Sequence, residues 1–229
     1  MVDTQVDWMG AIRARHSVRS YTARPIEKEK VAALQAQIDR CNREGGLHIQ
    51  LVTEEPKAFD GMMAHYGKLS GVRNYLALIG PKGEALEEKL GYYGEQLVLY
   101  AQALGLNTCW VALTFSKGKV PAAIDKGEKL VCVITLGYGE GQGTAHKSKA
   151  ASAVSETVGD APEWFRRGME AALLAPTAVN QQKYLIQLKG DRLSARATGG
   201  FYARVDLGIV KYHFEVGAGI GHDRWVTNE

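Results

Sequence analysis

Ala175-Pro176-Thr177-Ala178-Val179-Asn180-Gln181-Gln182 is the stretch that decides the predicted fold, and we call it the proline segment. Pro176 ends the helix before it, because proline lacks a backbone N–H and its ring clashes with the preceding turn. The side chains of Thr177 and Asn180, with the free backbone groups of that helix end, can bond a polar ligand. The alternative is a capped helix end without a ligand, since Thr and Asn are favoured in turns. The proline segment alone leaves both interpretations open.

The second half of the chain, around the proline segment, predicts alternating helices and strands. Asp160 is a favoured N-cap residue, and Pro162 suits the first turn of the helix that follows it. Two strands and a last helix are predicted after the proline segment, over Tyr184–Leu188, Leu193–Thr198 and Asp206–Gly217.

A second polar stretch, Arg15-His16-Ser17-Val18-Arg19-Ser20-Tyr21, lies near the start of the chain, and we call it the arginine segment. Arg15 and Arg19 flank Ser17, so two guanidinium groups and a hydroxyl can converge on a phosphate or another anionic oxygen. The alternative is a solvated basic turn.

The rest of the first half also alternates helices and strands. Helices are predicted over Trp8–Arg15, Pro25–Gly45, Met62–Leu69 and Glu84–Leu104, the last with a break near Gly91. Strands are predicted over Leu47–Thr53, Tyr75–Ile79, Thr108–Leu113 and Leu130–Leu136. The strand Leu130–Leu136 is almost wholly apolar, which is typical of a central strand covered on both faces.

Composition excludes several classes of protein. The 229 residues are 45% hydrophobic, enough for a sizeable core, and the net charge of +3 is too small to indicate a nucleic-acid partner. Cys41, Cys109 and Cys132 are unclustered, so we expect free thiols and no metal site. The start of the chain does not resemble a signal peptide, so we expect a cytoplasmic protein. The uncharged stretch Gln96–Ser116 is interrupted by polar residues, so we expect a helix, a turn and a strand rather than a membrane span.

A glycine loop, Gly137–Gly143, follows the apolar strand. A dinucleotide fingerprint would need glycine at position 142, which is Gln142, and no Gly-Lys-Ser/Thr of a P-loop is present. The low-complexity stretch Ala145–Gly159 predicts a linker between the two halves.

The arginine segment and the proline segment together resemble the two ends of the flavin site in the nitroreductase family of FMN-dependent oxidoreductases. Leu90–Leu106 with the following Cys109-Trp110-Val111 is similar to the family's central helix and strand, although the residues after Trp110 depart from the family pattern. Leu136-Gly137-Tyr138-Gly139, which lacks the family's proline, precedes the basic stretch His146-Lys147-Ser148-Lys149.

This resemblance implies an α+β nitroreductase-like fold, with mixed or antiparallel central sheets flanked by helices, and a bound FMN. In that site, cations and hydroxyls would bind the phosphate and the ribityl chain. A lysine would lie at the pyrimidine edge of the flavin, and a backbone N–H near Leu113 or Thr114 would contact the flavin N5. The implied FMN-binding residues are Arg15, His16, Ser17, Arg19, Lys68, Leu113, Thr114, Lys147, Lys149, Pro176, Thr177, Ala178, Asn180 and Gln182. No side chain stands out as a general acid, so no catalytic residue is assigned.

The position of the proline segment departs from the family. There it follows soon after the arginine segment, and each site takes the two segments from different subunits. Here it follows the basic stretch, which predicts a fused pseudo-dimer with halves at residues 1–150 and 151–229. A weak repeat agrees, because Gly94 and Gly105 have the same spacing as Gly208 and Gly219. We therefore expect one composite site in a monomeric chain, and a further homodimer stays open.

The function implied by the resemblance is transfer of hydride from NADH or NADPH through FMN to a small oxidised acceptor, such as a nitro compound or a quinone. One alternative is a non-catalytic FMN-binding or sensing protein. Another is a structural or interaction domain whose flavin site has decayed.

Overall fold

The computed structural model describes residues 6–226 and confirms the predicted α+β class. Its α-helices are α1 (Trp8–Ala14), α2 (Lys28–Gly45), α3 (Met62–Tyr66), α4 (Leu86–Ala103), α5 (Glu163–Ala172) and α6 (Ala203–Ala218). Its strands are β1 (Gln50–Val52), β2 (Asn74–Pro81), β3 (Asn107–Val111), β4 (Glu128–Gly137), β5 (Ser155–Thr157), β6 (Tyr184–Lys189) and β7 (Arg192–Ala197).

The described chain forms two compact units that alternate along the sequence. Unit 1 contains Ala14–Leu86 and Leu97–Ala145, and unit 2 contains Asp7–Arg13, Glu87–Gln96 and residues 146–226. Unit 2 therefore takes two segments from the first half of the sequence. The proposed duplication of residues 1–150 and 151–229 stays a prediction.

Unit 1 is built on an antiparallel sheet with strand order β1-β2-β4-β3. Strand β4 pairs with a neighbour on each side, and it is buried from Leu130 to Gly137. The prediction of a doubly covered apolar strand is therefore confirmed. On one side the core includes Tyr75, with the ring of Phe59 5.3 Å away, centroid to centroid.

Unit 2 combines the helix pair α5 and α6 with a small sheet of order β5-β6-β7. Strands β6 and β7 form an antiparallel hairpin through Gly190, whose positive φ of 59° suits the turn. Strand β5 runs parallel to β6 and lies inside the predicted linker. It has only three residues, too few for a periodic pattern to reveal it.

Helix α4 continues through Gly91, so the predicted break there is wrong. A Cβ added at Gly91 would overlap the carbonyl group of Val205 in α6. A Cβ added at Gly208 of α6 would likewise overlap the backbone of Glu88 and Tyr92. Glycine at these positions lets the backbones of the two helices touch, which explains its presence without a kink.

Several boundaries also differ from prediction; for example, α2 begins at Lys28 rather than Pro25, and α6 begins at Ala203 rather than Asp206. Strand β1 is shorter than Leu47–Thr53, because only Gln50–Val52 pairs with β2. Helix α3 ends at Tyr66, before the predicted Leu69. The N-cap of α5 is Pro162 rather than Asp160, since the carbonyl of Pro162 accepts the first intrahelical bonds.

The uncharged stretch Gln96–Ser116 contains the end of α4 and then β3, as predicted. Among residues 6–226 we find no helix with both the length and the apolar composition needed to cross a bilayer. Cys41, Cys109 and Cys132 are buried free thiols.

Candidate functional site

The arginine segment forms an extended strip in unit 1. The N–H of Val18 donates to the carbonyl of Thr108 in β3 at 3.0 Å. Ser70 holds the other end, because its carbonyl accepts from the N–H of Tyr21 at 3.0 Å and its N–H donates to the Arg19 carbonyl at 2.9 Å. These backbone bonds determine where the side chains of the strip project.

Tyr21 anchors the strip to the core. Its hydroxyl donates to the carbonyl of Val18 at 2.8 Å and lies 2.8 Å from Oγ1 of Thr135 in β4. Burial raises the pKa of Tyr21 well above its usual value, so the hydroxyl keeps its proton at neutral pH. The strip is therefore preorganised before any ligand binds.

Three of the predicted FMN-binding residues act electrostatically on the buried thiol of Cys109 in β3. Burial raises the pKa of this thiol, and Arg19, a hydrogen bond from Ser17 and the charge of Arg15 oppose that shift. Arg15 is only 4% exposed, whereas Arg19 is exposed. The spacing Arg-x-Ser-x-Arg puts two guanidinium groups and a hydroxyl at alternate positions of one extended strip, a donor set suited to a phosphate or ribityl oxygen.

The glycine loop Gly137–Gly143 packs on the arginine segment. A Cβ at Gly143 would lie 2.9 Å from both Cβ of His16 and the carbonyl oxygen of Ser17. A Cβ at Gly139 would lie 2.6 Å from Val18. The absence of side chains lets this loop cover the strip, a role that sequence reasoning missed when it only tested the loop for nucleotide motifs.

Lys68 and Thr114 lie close to each other in unit 1. A Cβ at Gly67, the residue before Lys68, would overlap the side chain of Thr114. Lys68 has a positive φ of 56° and an exposed side chain, and Leu113 is 60% exposed. The loops that carry Lys68 and Thr114, predicted from two separate stretches, are thus in contact through Gly67.

The backbone of this loop has free donors. Within residues 6–226, no acceptor takes a hydrogen bond from the N–H of Leu113 or Thr114. The neighbouring N–H of Ser116 donates to the carbonyl of Ala58 at 2.7 Å, which fixes the end of the loop. Either free N–H could serve the contact to flavin N5 implied by the resemblance.

The proline segment lies in unit 2 and is strained. Val179, Asn180 and Gln182 have positive φ values of 44°, 55° and 46°. Left-handed backbone at a residue with a side chain costs about 1–3 kcal/mol, and a β-branched valine adopts it least readily. Val179 is also 80% exposed, so its side chain gains little from burial.

Hydrogen bonds tie the proline segment to the basic stretch His146–Lys149. The carbonyl of Lys147 accepts from Nδ2 of Asn180 and from Nε2 of Gln182, each at 3.0 Å. The ammonium of Lys149 donates to the carbonyls of Gln181 and Gln182, each at 2.9 Å. Two stretches that the sequence predicts to share a ligand therefore contact each other directly.

These hydrogen bonds show which of the predicted residues in unit 2 still have polar groups available to a ligand. Gln182 is 3% exposed, and its amide bonds to Lys147, Lys149 and Asn180, so it supports the segment from inside. The exposed side chain of Asn180 uses one amide hydrogen and accepts from Gln182, so it keeps a second hydrogen for a ligand. Thr177 Oγ1 accepts from the N–H of Gln182 at 3.0 Å.

Asp206 in α6 is a residue of this region that the sequence reasoning missed. Its carboxylate accepts from the N–H of Ala178 at 2.9 Å and from Nε2 of Gln181 at 2.7 Å. It is 3% exposed, and burial raises its pKa to about 6 against the effect of these two bonds. An acidic residue near a helix start is ordinarily explained by the helix dipole, so the sequence carried no separate signal for this contact.

Comparison with known proteins gives the family of the chain. Residues 7–218 match the family described as "Putative TM nitroreductase". The chain belongs to this nitroreductase family.

Solved structures show the same fold. A "putative nitroreductase" of Thermotoga maritima has 22% identity and a TM-score of 0.62, with 95% of this chain and 86% of that chain covered. A "putative nitroreductase in complex with fmn" from Desulfovibrio desulfuricans has 17% identity and a TM-score of 0.53, with 68% of this chain and 97% of that chain covered. A Clostridium difficile "FMN-dependent Nitroreductase" has 17% identity and a TM-score of 0.50, with 61% of this chain and 91% of that chain covered. No curated protein matches the chain.

One further polar cluster of this nitroreductase lies in unit 1, where His48, Asp125 and Glu128 offer three potential metal ligands. Two backbone bonds to Ala123 fix the amide of Gln50, so its Nε2 faces Nε2 of His48 at 3.2 Å. His48 Nε2 must therefore accept, and Nδ1 carries the proton that it donates to Glu128 at 2.8 Å. The tautomer required by Gln50 opposes metal coordination through Nδ1, and the cluster is closed by its own hydrogen bonds.

Proposed function

We propose that this nitroreductase binds FMN and transfers hydride from NADH or NADPH through it to a small oxidised acceptor, such as a nitro compound or a quinone. Family membership supports an oxidoreductase. Bound FMN in the Desulfovibrio desulfuricans structure supports this cofactor. The nicotinamide donor and the acceptor class rest on the sequence resemblance.

The observation that carries the proposal is that Arg15, Ser17 and Arg19 share one extended strip and all lower the pKa of the buried Cys109 thiol. Two guanidinium groups and a hydroxyl are strong donors for phosphate oxygen, and an anionic cofactor would offset the repulsion between the cations. The donor set therefore fits the phosphate and ribityl chain of FMN. His16 and Ser17 are also covered by the glycine loop, which limits their motion.

The remaining residues would bind and orient the flavin ring. The N–H of Leu113 or Thr114 would donate to N5, and Lys68 would place a positive charge beside the pyrimidine edge. A cation there stabilises the reduced, anionic flavin electrostatically, and Arg19 is the other candidate for this role. When bound, FMN supplies redox chemistry that amino-acid side chains lack.

In unit 2, the exposed side chains of Lys147 and Asn180 are the groups most available to the cofactor. We propose that Asn180 donates its second amide hydrogen to FMN and that Lys147 offers a charge to the phosphate. Lys149 and Gln182 would act mainly by holding the proline segment, together with Pro176, Thr177 and Ala178.

The first experiment is the visible absorption spectrum of the purified protein, followed by release and identification of the cofactor. We expect flavin absorption and FMN in the supernatant after denaturation. A colourless protein that takes up no added FMN would contradict the proposal and favour a structural or interaction domain.

The second experiment separates an enzyme from a flavin-binding sensor. The FMN-loaded protein is mixed anaerobically with NADH or NADPH in a stopped-flow instrument. We expect loss of flavin absorption with one of the two donors, and recovery when a nitro compound or a quinone is added. Stable flavin absorption with both donors would instead identify a non-catalytic FMN-binding protein.

A further inference from the structure

We propose that Asp206 is a positioning residue for cofactor binding, which holds the proline segment in the strained conformation that presents Asn180 to FMN. The inference rests on the proposed function, since it assumes that FMN is the ligand. It concerns a residue of α6 that belongs to none of the stretches resembling the family.

The geometry shows why the segment needs an external anchor. Val179, Asn180 and Gln182 all have left-handed backbone, which asparagine tolerates but which the side chains of valine and glutamine disfavour. Such a conformation persists only where surrounding contacts impose it. Asn180 and Val179 are exposed, so packing on their side chains cannot impose it.

Asp206 supplies the contacts that bracket these residues. One carboxylate oxygen accepts from the N–H of Ala178, directly before the strained residues. The other accepts from Nε2 of Gln181, between Asn180 and Gln182. Both acceptors belong to one buried side chain on a regular helix, so the two ends of the strained turn are held at a constant separation.

The chemistry of the anchor depends on its protonation. An ionised carboxylate accepts both bonds, whereas a protonated one turns a hydroxyl toward one of the two donors. Burial raises the pKa of Asp206 to about 6, and the bonds from Gln181 and Ala178 oppose the shift. The proline segment that faces Asp206 contains no ionisable side chain, and no charged group within residues 6–226 is among the causes. From the preceding turn, the carbonyl of Tyr202 accepts a hydrogen bond from the N–H of Asp206 at 3.0 Å.

The substitution Asp206→Asn tests the anchor, because asparagine keeps one acceptor and turns an NH₂ group toward the other donor. FMN is titrated into the apo-protein of the wild type, of Asp206→Asn and of Asp191→Asn. Asp191 is an exposed residue of the same unit, in the turn between β6 and β7, and serves as the matched control. At about pH 7.5 we expect Asp206→Asn to raise the Kd for FMN about tenfold, the effect of one charged hydrogen bond, and the control to leave it unchanged.

The pH profile is a readout that a merely structural role would not move. The ratio of the two Kd values, variant over wild type, should fall toward about one as the pH falls to about 5, because the wild type then loses the same acceptor. Titration of the FMN phosphate affects both proteins and cancels in this ratio. A Kd ratio near one at every pH, or a raised ratio that does not change with pH, would overturn the role of Asp206.

A failure of the proposed function would look different. If wild-type protein binds no FMN, both proposals are wrong, whereas wild-type binding with an unaffected Asp206→Asn variant rejects only the anchor. If Asp206→Asn does not fold, Gln181→Ala removes the donor of the shorter bond to Asp206 and gives the same test. An unchanged Kd in Gln181→Ala would then overturn the proposal.

Discussion

Nε2 of His213 lies 2.8 Å from Oε1 of Glu95, and both side chains are fully buried in unit 2. Nδ1 of His213 lies 3.1 Å from the carbonyl oxygen of Ala171, which can only accept, so Nδ1 carries a proton. The pair thereby joins α4 to α6 and to the end of α5. Removing either side chain of this pair leaves the other, a buried polar group, without this partner.

We expect Glu95→Ala to lower the free energy of unfolding by about 3–5 kcal/mol, because His213 then loses a buried charged or hydrogen-bonded partner. Glu95→Gln should cost less, since its amide can still bond Nε2. Urea unfolding followed by circular dichroism measures both. The control is Glu170→Ala, at an exposed position of α5. If Glu170→Ala lowers the free energy of unfolding as much as Glu95→Ala does, the buried pair contributes no more to stability than an exposed residue.

Contact between the backbones of α4 and α6 predicts intolerance of a side chain at Gly208. A methyl group there overlaps the backbone of Glu88 and Tyr92, so Gly208→Ala should destabilise the protein by about 1–3 kcal/mol. Gly118→Ala is the matched control, since nothing lies within 4 Å of its added Cβ. Melting temperatures of the two variants decide the matter, and equal values would contradict the close helix contact.

The proposed phosphate role of the arginine segment predicts a specific loss of FMN affinity in Arg19→Ala. Removing one charge-assisted bond costs about 1.5–3 kcal/mol, and the exposed position should leave the apo-protein's melting temperature nearly unchanged. Arg15→Ala should weaken FMN binding as well, but its burial means that stability falls too.

The control for Arg19 is Arg24→Ala. The Arg24 guanidinium pairs with Glu27 at 2.5 Å and stacks 3.9 Å from the ring centroid of Tyr138, so it already has partners outside the arginine segment. Fluorescence titration of FMN into both variants gives the comparison. Equal affinities would remove Arg19 from the cofactor site.

The stoichiometry of FMN is expected to be one per chain. The sequence contains a single Pro-Thr-x-x-Asn, so only one complete set of donors is available. A second Arg-x-Ser-x-Arg, Arg192–Arg196, lies within strand β7 and has no second proline segment to complete a site. Flavin absorbance set against protein mass measures the ratio. Two flavins per chain would be incompatible with one composite site.

The pKa of Asp206 predicts a pH dependence of stability. Because its pKa is raised from 3.8 to about 6 by burial, the folded state binds a proton more tightly than the unfolded state. The stabilising contribution of this proton binding is therefore fully present below about pH 4 and is lost as the pH rises through about 6. The corresponding decrease in the free energy of unfolding is about 3 kcal/mol.

Urea unfolding from about pH 4 to 7 tests this sign, with Asp206→Asn as the comparison. The difference in unfolding free energy, wild type minus variant, should decrease over that range, whereas Asp191→Asn should parallel the wild type. A difference that grows with pH would mean that ionised Asp206 stabilises the fold.

Much of the fold could be predicted because its signals are local. The apolar run Leu130–Leu136 indicated a covered strand, and Pro176 indicated a helix end nearby, although α5 already ends at Ala172. The break at Gly91 was predicted wrongly, because glycine lowers helix propensity in any isolated sequence. Contact with Val205, which no local pattern encodes, gave that glycine its packing role.

For the candidate site too, some features could be predicted from the sequence and others depended on tertiary contacts. Residue type and spacing alone determined that Arg15, Ser17 and Arg19 can offer donors to an anion, because that chemistry belongs to the side chains. Only the tertiary structure decided that all three act on the buried Cys109 thiol, that the glycine loop packs on the arginine segment, and that Asp206 bonds the proline segment. These contacts join residues far apart in the chain, and burial of Asp206 is a property of the packed interior that a sequence pattern cannot contain.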